Sequence, residues 1–362
     1  MYNLKLLIMN RFFLTLVGMI CLATYTLAAQ NIAKSEANAI NDFLNQTSAN
    51  GGTNAQQLDN AKVLNCPGLK IEHGHITEID WHDKGLSGNL NLSNFPNLTK
   101  VDISNNKLSG LILNNDPILE NVNAANNRIN SLKISACNQL QQLKLNKNTL
   151  TTINLSGCPF LKKLNISANQ IAELDVSEAT NLEYLNCMSN RLEQLILQNC
   201  TNLKTIYAGY NDLTGLELSG LVSLENLNIG GNKISKLYLQ DLKSLVTLFC
   251  SDNNMTQLTV NNCQAINDIY APYNNLTSFN ISNCPNVAFI NLAWNNLSML
   301  NLSNQYFLQR LNVANNQLIT LDVSFDQMLT YLNVTNDNLL TDIRTMGCNN
   351  LRQIVGEWND FD

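Results

Sequence analysis

Apolar side chains recur along most of the chain with a period of 21 residues. Within each period they occupy positions 1, 4, 6, 11, 14 and 16, whereas positions 3 and 5 are polar in most repeats and position 7 is polar or small in most. The alternation around positions 4 and 6 is typical of a strand with one buried face. Twelve repeats follow one another, and position 1 is occupied in turn by Leu98, Leu119, Leu140, Leu161, Leu182, Leu203, Leu224, Leu245, Ile266, Val287, Leu308 and Leu329.

A single repeat cannot bury its own leucines, so the repeats must stack to form a continuous core. Stacked strands pair side by side at a spacing of about 4.8 Å. The pattern therefore predicts a solenoid with a parallel β-sheet on its concave face. The opposite, convex face has a second apolar pair at positions 14 and 16, which favours short strands or 3₁₀ segments there.

Position 9 is asparagine in the first eleven repeats, at the point where the chain turns out of the strand. The side-chain amide has two donors and an acceptor, so it can satisfy backbone groups that the turn leaves unpaired and can also bond the adjacent coil. We assign a structural role to these residues and no ligand. The series is Asn106, Asn127, Asn148, Asn169, Asn190, Asn211, Asn232, Asn253, Asn274, Asn295 and Asn316, and Asp337 ends it.

The repeat resembles the leucine-rich repeat, LxxLxLxxNxL, in the 21-residue form of bacterial surface proteins such as the internalins. Repeat 4 matches it with Leu161, Leu164, Ile166, Asn169 and Ile171. The resemblance covers residues 76 to about 358. It implies a secreted or surface-exposed binding protein whose concave face contacts its ligand, in adhesion or host interaction.

Residues 30–75 are predicted to form an amino-terminal cap. Apolar residues in 33–45 have helical spacing, and Ser35 is a plausible N-cap. Two apolar segments flank Gly74 and predict a hairpin that leads into a first coil of 22 residues at 76–97. A helix and a hairpin in this place are similar to the caps of other extracellular leucine-rich repeat proteins. We expect the repeats to occupy 76–350, and the acidic segment 351–362 to cap the other end.

The first 29 residues have the organisation of a secretory signal peptide. Lys5 and Arg11 precede an apolar run, and small residues follow it at Ala28 and Ala29. The run is short for a membrane span, and no other stretch of spanning length follows. We therefore expect a secreted, periplasmic or cell-surface location and no membrane span after removal of the signal.

Composition and charge narrow the classes of function. Charged residues make up 14% of the chain, well below the roughly 25% of average proteins, because leucine and asparagine occupy so many positions. The net charge of −6 provides no basic surface for nucleic acid. The twelve repeats that start at Leu98 contain no histidine, and exposed carboxylates such as Glu120, Glu183, Glu225 and Asp268 do not pair in register. We therefore predict no enzymatic activity, no catalytic residue and no cofactor.

Nine of the ten cysteines follow the signal peptide, and most recur at fixed repeat positions. This phasing predicts small buried side chains, and similar cysteine ladders occur in internalin-like proteins. Cys187 and Cys250, at position 6, are about 14 Å apart by strand spacing, too far to bridge. Cys137–Cys158 and Cys263–Cys284 lie on adjacent coils, close enough for a disulfide. The sequence does not decide whether either pair is bonded, although the parallel direction of the side chains disfavours it. The six cysteines at position 19 are Cys137, Cys158, Cys200, Cys263, Cys284 and Cys348.

The three histidines all lie in or beside the amino-terminal cap, at His73, His75 and His82. His, Cys and Asp side chains all coordinate metal ions, so together with Cys66 and Asp83 these residues are candidate metal ligands. Their spacing matches no strong metal-binding template, and a cap with exposed histidines explains them equally well. We predict no metal site.

Aromatic residues concentrate at strand positions 3 and 5 and at position 8, from repeat 5 to repeat 10. One interpretation is that position 8 is partly buried and its rings fill the turn. The other is an exposed patch that binds a ligand, which we favour for positions 3 and 5. Repeat 7, with Asn226, Asn228, Gly230 and Gly231, would form a shallow depression between the rings. The predicted ligand-binding residues are Tyr184, Tyr207, Tyr210, Phe249, Tyr270, Tyr273, Phe289 and Trp294.

These observations predict a non-enzymatic protein that recognises a protein ligand through its concave face. A carbohydrate ligand is the alternative, because aromatic platforms also stack on sugar rings.

Overall fold

The computed structural model describes residues 32–303, 305–324 and 326–356. The predicted signal peptide and the end of the predicted carboxy-terminal cap lie outside these residues. The chain divides into two compact units, 1–140 and 141–362, which are described separately. No helix in the described part of the chain is long and apolar enough to cross a membrane.

The first unit begins with helix α1, Lys34–Leu44, whose apolar side buries Ile40, Phe43 and Leu44. The prediction that Ser35 caps this helix is wrong: the helix begins at Lys34, the N-cap is Ala33, two residues earlier, and no side chain caps it. A short helix α2 and one 3₁₀ turn follow, at Asn54–Gln57 and Val63–Asn65.

The predicted hairpin is present around Gly74, between β1, Leu69–Glu72, and β2, His75–Asp80. Strand β2 also pairs in parallel with the first strand of the repeats, so the hairpin covers the open edge of the sheet. In the first unit the front strands, at repeat positions 3 to 5, are β4, Lys100–Asp102, and β6, Asn121–Asn123; the back strands are β3, Ser87–Asn91, β5, Lys107–Asn114, and β7, Ser131–Ser135.

The second unit contains one long parallel sheet, with each strand pairing with the strand 21 residues later in most steps. Its middle residue, at position 4, is buried in most strands, whereas the residues at positions 3 and 5 are half-buried or exposed. The front strands are β8, Gln142–Lys144, β9, Lys163–Asn165, β11, Tyr184–Asn186, β13, Thr205–Tyr207, β14, Asn226–Asn228, β16, Thr247–Phe249, β18, Asp268–Tyr270, β20, Phe289–Asn291, β21, Arg310–Asn312, β23, Tyr331–Asn333, and β25, Gln353–Val355.

The back of the second unit has three short parallel sheets rather than one. Among the described residues, repeats 3, 6 and 10 form no back strand, and their position-14 residues Ile153, Leu216 and Leu300 are only half-buried. Clefts open beside these interruptions. The back strands are β10, Glu173–Asp175, β12, Gln194–Ile196, β15, Lys236–Gln240, β17, Gln257–Asn261, β19, Ser278–Ser282, β22, Thr320–Asp322, and β24, Asp342–Arg344.

The asparagines of position 9 connect successive coils, as predicted. The side chain of Asn211 accepts a hydrogen bond from the backbone of Leu192 and donates to the carbonyl of Cys187, both in the preceding repeat. It also donates to the carbonyls of Ala208 and Gly209 in its own turn. The same set of partners recurs along the series, so each asparagine satisfies polar groups of two coils at once.

All nine cysteines of the described residues are free and buried. Position 19, where six of them lie, faces the interior, and Ala179, Leu221 and Leu242 replace cysteine there in other repeats. The thiols of Cys137, Cys200, Cys284 and Cys348 each contact a backbone carbonyl of the preceding repeat. The phased cysteines are therefore core residues.

Candidate binding surface

The strand-borne aromatics lie on the solvent side of the front strands of the second unit. Each ring is held there because the neighbouring position-4 residue points into the core and the strand alternates. Phe249 is exposed and the other rings are half-buried. Five aromatics share this arrangement: Tyr184, Tyr207, Phe249, Tyr270 and Phe289.

The aromatics form two groups on either side of repeat 7, in repeats 5 and 6 and in repeats 8 to 10. In the first aromatic cluster, Tyr184, Tyr207 and Tyr210, the rings of Tyr184 and Tyr207 meet edge to face with centroids 5.9 Å apart. The second aromatic cluster is Phe249, Tyr270, Tyr273, Phe289 and Trp294. There Tyr270 stacks on Phe249 at 4.4 Å and lies 4.8 Å from Phe289, while Tyr273 stacks on Trp294 at 5.7 Å.

The position-8 aromatics are exposed rather than buried in the turn. Tyr210, Tyr273 and Trp294 keep 64%, 53% and 51% of their surface accessible. The interpretation that they fill a partly buried turn is therefore wrong for these three residues. Their side chains contribute little to the core, so core packing does not explain why large rings occur there.

Position 8 also has an unusual backbone. Tyr210, Tyr273 and Trp294 all have φ of 56° or 57°, in the left-handed region. Asn105 and Asn315 adopt the same conformation at this position of other repeats, and asparagine tolerates it better than an aromatic residue does. An exposed ring at this position costs backbone energy without a gain in the core. Lys147, Ala168 and Ser189 have the same left-handed φ at position 8, so the conformation belongs to the repeat and not to the aromatic residues.

The predicted depression at repeat 7 is partly filled. Gly231 has φ of 69°, and a Cβ atom there would come within 2.8 Å of Cδ1 of Tyr210. The Tyr210 ring therefore lies over Gly231, which provides the space for it. Asn226 and Asn228 separate the two aromatic clusters along the sheet.

Few charges adjoin the clusters. In the second, Asp268 lies between Thr247 and Phe289 in register, and burial raises the pKa of its carboxyl. Burial and then the charge of Asp268 raise the pKa of the Tyr270 hydroxyl. Arg310 follows Phe289 in register. The second cluster is an aromatic surface with one acidic and one basic neighbour.

The histidines of the amino-terminal part have local partners. His75 Nδ1 lies 2.7 Å from the buried carboxylate of Glu36, and His82 Nδ1 lies 2.6 Å from Asp80. The carboxylate of Glu36 also accepts the backbone N–H of Ile76, so this contact joins α1 to the hairpin. Across residues 32–303, 305–324 and 326–356, no three His, Cys, Asp or Glu side chains are grouped to hold a metal ion.

Comparison with known proteins identifies the repeat and the fold. The family model described as Leucine Rich Repeat matches residues 97–115. No curated protein sequence matches the chain.

Solved structures match over most of the chain. An internalin, InlF from Listeria monocytogenes, is 17% identical with a TM-score of 0.53, and the match covers 90% of this chain and 95% of that one. YopM, a leucine-rich effector protein from Yersinia pestis, is 22% identical with a TM-score of 0.53 over 79% and 89% of the two chains. A plant peptide hormone receptor, RGFR1, solved in complex with RGF2, is 20% identical with a TM-score of 0.51 over 72% of this chain and 50% of that one.

Proposed function

Because the chain has the leucine-rich repeat fold, we propose that it is a secreted, non-enzymatic binding protein that recognises a protein ligand through the front strands of repeats 5 to 10. The observation that carries the proposal is the pair of aromatic clusters on a solvent-facing sheet. Tyrosine and tryptophan supply large contact areas at low entropic cost and dominate the energetics of protein interfaces.

The position-8 rings support a role in recognition rather than in folding. Tyr210, Tyr273 and Trp294 are exposed, and their left-handed backbone would favour asparagine or glycine. A contact with a ligand would explain why exposed aromatic residues occur there.

The ring arrangement favours a protein ligand over a carbohydrate. A sugar ring binds by stacking on an open aromatic face. In the second cluster, Phe249 and Tyr270 cover each other at an interplanar angle of 18°, and Tyr273 and Trp294 do so at 17°. Stacking covers one face of each ring in these pairs, which leaves less open ring surface for a sugar. The plant peptide hormone receptor RGFR1, solved in complex with RGF2, offers a precedent on this fold.

The location is part of the proposal. The segment 1–29, with Lys5 and Arg11 before its apolar run, directs the chain to export. The resemblance to internalins favours a role in adhesion or contact with a host. Identification of the ligand would test that role.

The test begins with a pull-down that uses residues 30–362 as bait, followed by measurement of Kd for the captured protein. A variant with Tyr207, Phe249 and Tyr270 changed to alanine should bind at least about a hundredfold more weakly, because hot-spot truncations cost 2 kcal/mol or more each. Tyr238→Ala is the matched control, because Tyr238 is an exposed tyrosine on back strand β15.

Unchanged affinity in the triple variant, with an unchanged melting temperature, would contradict the proposal. A glycan array provides the second arm. Capture of a glycan that the triple variant no longer binds would replace the protein ligand with a carbohydrate at the same surface.

A further inference from the structure

Repeats 3 and 4, at the start of the second unit, carry an excess of positive charge. Residues 141–172 contain four lysines and no aspartate or glutamate, whereas residues 173–356 contain eight lysines and arginines and 15 aspartates and glutamates. The four lysines are exposed, and we call them the lysine surface: Lys144, Lys147, Lys162 and Lys163. The net charge of the whole chain, −6, therefore conceals a local surface of the opposite sign.

The front strands hold these lysines close together on the solvent side of the sheet. Lys144 is at position 5 of β8 and Lys163 is at position 3 of β9, and both positions face solvent because position 4 is buried in each strand. The strands pair in parallel with Lys144 opposite Asn165, so the Cα atoms of Lys144 and Lys163 are about 8 Å apart. Lys147 follows β8 at the turn, and Lys162 directly precedes β9.

No carboxylate of the described residues forms an ion pair with the lysine surface. Other lysines of the unit do have partners: Lys204 lies 3.0 Å from Glu183, and Lys233 lies 2.7 Å from Asp212. Glu183 adjoins Lys162 in the next repeat, but its carboxylate contacts Lys204 instead. The acidic residues of repeat 4 lie on or just after back strand β10, away from the front strands. The lysine surface therefore keeps its positive charge for a ligand.

The chemistry of the surface favours a polyanion over the core of a protein interface. Lysine is depleted at protein interfaces, where arginine and aromatic residues are enriched. Its ammonium group is a compact charge with three donors, which suits the oxygens of sulfate or phosphate groups. Gln142 and Asn165, which lie in register with Lys163 and Lys144, add amides that can bond hydroxyl groups. Closely spaced charges with amides between them, on an open sheet, fit a linear ligand with both anionic groups and hydroxyls.

We propose that the lysine surface is a second binding site, for a linear sulfated polysaccharide. Sulfate groups contact the ammonium groups of Lys144, Lys147 and Lys163, and Lys162 extends the contact at the edge. The surface adjoins the first aromatic cluster, because Tyr184 follows Lys163 in register. It contains none of the aromatic residues, however, and the proposal does not depend on their binding a protein.

The experiment is a fluorescence-anisotropy titration of residues 30–362 into a labelled heparin oligosaccharide of uniform length, at low and at physiological ionic strength. We expect saturable binding that weakens as salt is added, because exposed charges are screened, and no binding of neutral dextran. Changing Lys144, Lys147 and Lys163 to glutamine should raise Kd at least about tenfold, since each exposed charge pair contributes modestly and three are lost.

The matched control changes Lys233, Lys236 and Lys243 to glutamine. These three lysines are also exposed and belong to repeat 7 of the same unit, so both variants alter the net charge equally. The control should change Kd by less than about twofold at physiological ionic strength, because charges farther away than the Debye length are screened. The alanine variant of Tyr207, Phe249 and Tyr270 should bind heparin normally.

Absence of saturable heparin binding at low ionic strength would overturn the proposal. Equal losses in the two lysine variants would also overturn it, because binding would then follow the net charge alone. Poly-L-glutamate and oligothymidylate are the competing probes. Tighter binding of either one than of heparin, dependent on the three lysines, would replace the polysaccharide with an acidic protein segment or a nucleic acid. Loss of heparin binding in the aromatic variant would place the site on the aromatic clusters, whereas failure to capture a protein leaves this result unaffected.

Discussion

Individual side chains in this protein either stabilise the stack of repeats or deviate from the repeat pattern at a measurable cost in free energy. Position 8 shows the departure most clearly, because its backbone is left-handed whatever residue occupies it. Asn315 suits that conformation, whereas Trp294 in the preceding repeat does not. Substitutions at one such position can therefore separate the free-energy cost of the left-handed backbone from the free energy that the ring gains by stacking.

At Trp294, asparagine and alanine should give different stabilities. Both variants lose the stack on Tyr273, worth about 0.5–1.5 kcal/mol. Asparagine tolerates the left-handed backbone better than alanine does, so Trp294→Asn should be more stable than Trp294→Ala by about 1 kcal/mol. Urea denaturation of the two variants measures the difference. Equal stabilities would mean that the left-handed backbone sets no preference for asparagine over alanine at this position.

Asp337 replaces asparagine at position 9 and should destabilise the fold at neutral pH. One carboxylate oxygen accepts the backbone N–H of Asn316, but the buried Oδ2 has no partner. Burial raises the pKa of this carboxyl to about 6, so the proton that stabilises the native state is lost as the pH rises through 6. Asp337→Asn should add about 1–3 kcal/mol to the free energy of unfolding at pH 8 and much less at pH 5.

Denaturation of the wild type and the Asp337→Asn variant at both pH values measures this gain. A gain of the same size at pH 5 and pH 8 would show that protonation of Asp337 is not its cause.

At the scale of elements, the contacts between successive coils hold the fold together. Front strands of three residues form few hydrogen bonds each, so the turns contribute much of the connection between repeats. The asparagine of each turn bonds the coil before it as well as its own, and stability should therefore depend on each of these side chains.

Removal of one asparagine from the series should be costly. The side chain of Asn253 donates to Ile229, Cys250 and Ser251 carbonyls and accepts the N–H of Ile234. Asn253→Ala leaves these groups unpaired in a buried turn and should lower the free energy of unfolding by at least about 3 kcal/mol. Thermal and urea denaturation measure the loss.

The neighbouring Asn254 is exposed, and Asn254→Ala should change the free energy of unfolding by less than about 0.5 kcal/mol. Similar effects at the two positions would contradict a special role for position 9.

The sequence predicted the elements that periodicity controls. Front strands, buried position-4 residues and the hairpin around Gly74 follow from alternation and spacing. The interruptions of the back sheets did not, because Ile153, Leu216 and Leu300 keep the apolar type of the pattern while their burial changes. Where the residue type stays the same from repeat to repeat, its burial depends on how the neighbouring coils shift. The local sequence pattern does not encode that shift.

The candidate surface was predictable in position but not in arrangement. The aromatics of positions 3, 5 and 8 stand out in the sequence. The contacts between rings depend on side-chain torsions, which decide that Tyr210 lies over Gly231 and that Tyr273 stacks on Trp294. The left-handed turn at position 8 did have a sequence signal, because asparagine and glycine recur there.

At the scale of the molecule, buried groups set the response to pH and to thiol reagents. Asp116 in the first unit and Asp326 in the second are almost completely buried at position 19, and each has one oxygen without a partner. Burial raises the pKa of both carboxyls to about 7. Each unit therefore contains a carboxyl that prefers the neutral form.

The stability of the protein should fall as the pH rises from 5 to 8. Native Asp116 and Asp326 remain protonated up to about pH 7, whereas the unfolded chain ionises near pH 4, so the native state binds more protons in between. The exposed Asp80 and Asp322 have lowered pKa values, so their stabilising contribution is already fully present at pH 5 and stays constant up to pH 8. Calorimetry at pH 5, 6, 7 and 8 measures the trend.

The double variant Asp116→Asn, Asp326→Asn should reduce this dependence to the part that comes from Asp337, because an amide does not titrate. A wild-type melting temperature that is constant or rises from pH 5 to pH 8 would refute the assignment of neutral carboxyls.

The thiol content should distinguish free cysteines from disulfides. All nine cysteines of the described residues are free and buried, so residues 30–362 should react slowly with a thiol reagent when native and yield nine thiols per chain in guanidinium. A count of seven would reveal one disulfide, and peptide mapping would then decide between the Cys137–Cys158 and Cys263–Cys284 pairs.

The hydrogen bonds of the asparagine series all run in one direction, because each asparagine bonds the repeat before it. Synthesis adds the repeats in the same order, from the amino end. Asn211 completes the turn of the repeat before it by bonding Leu192 and Cys187, and its counterparts do likewise. A chain that emerges amino end first therefore presents each new repeat with its turn unfinished until the next asparagine arrives. The growing tip, rather than the finished body, holds the unsatisfied backbone, and it is there that a chaperone or a protease would meet this protein.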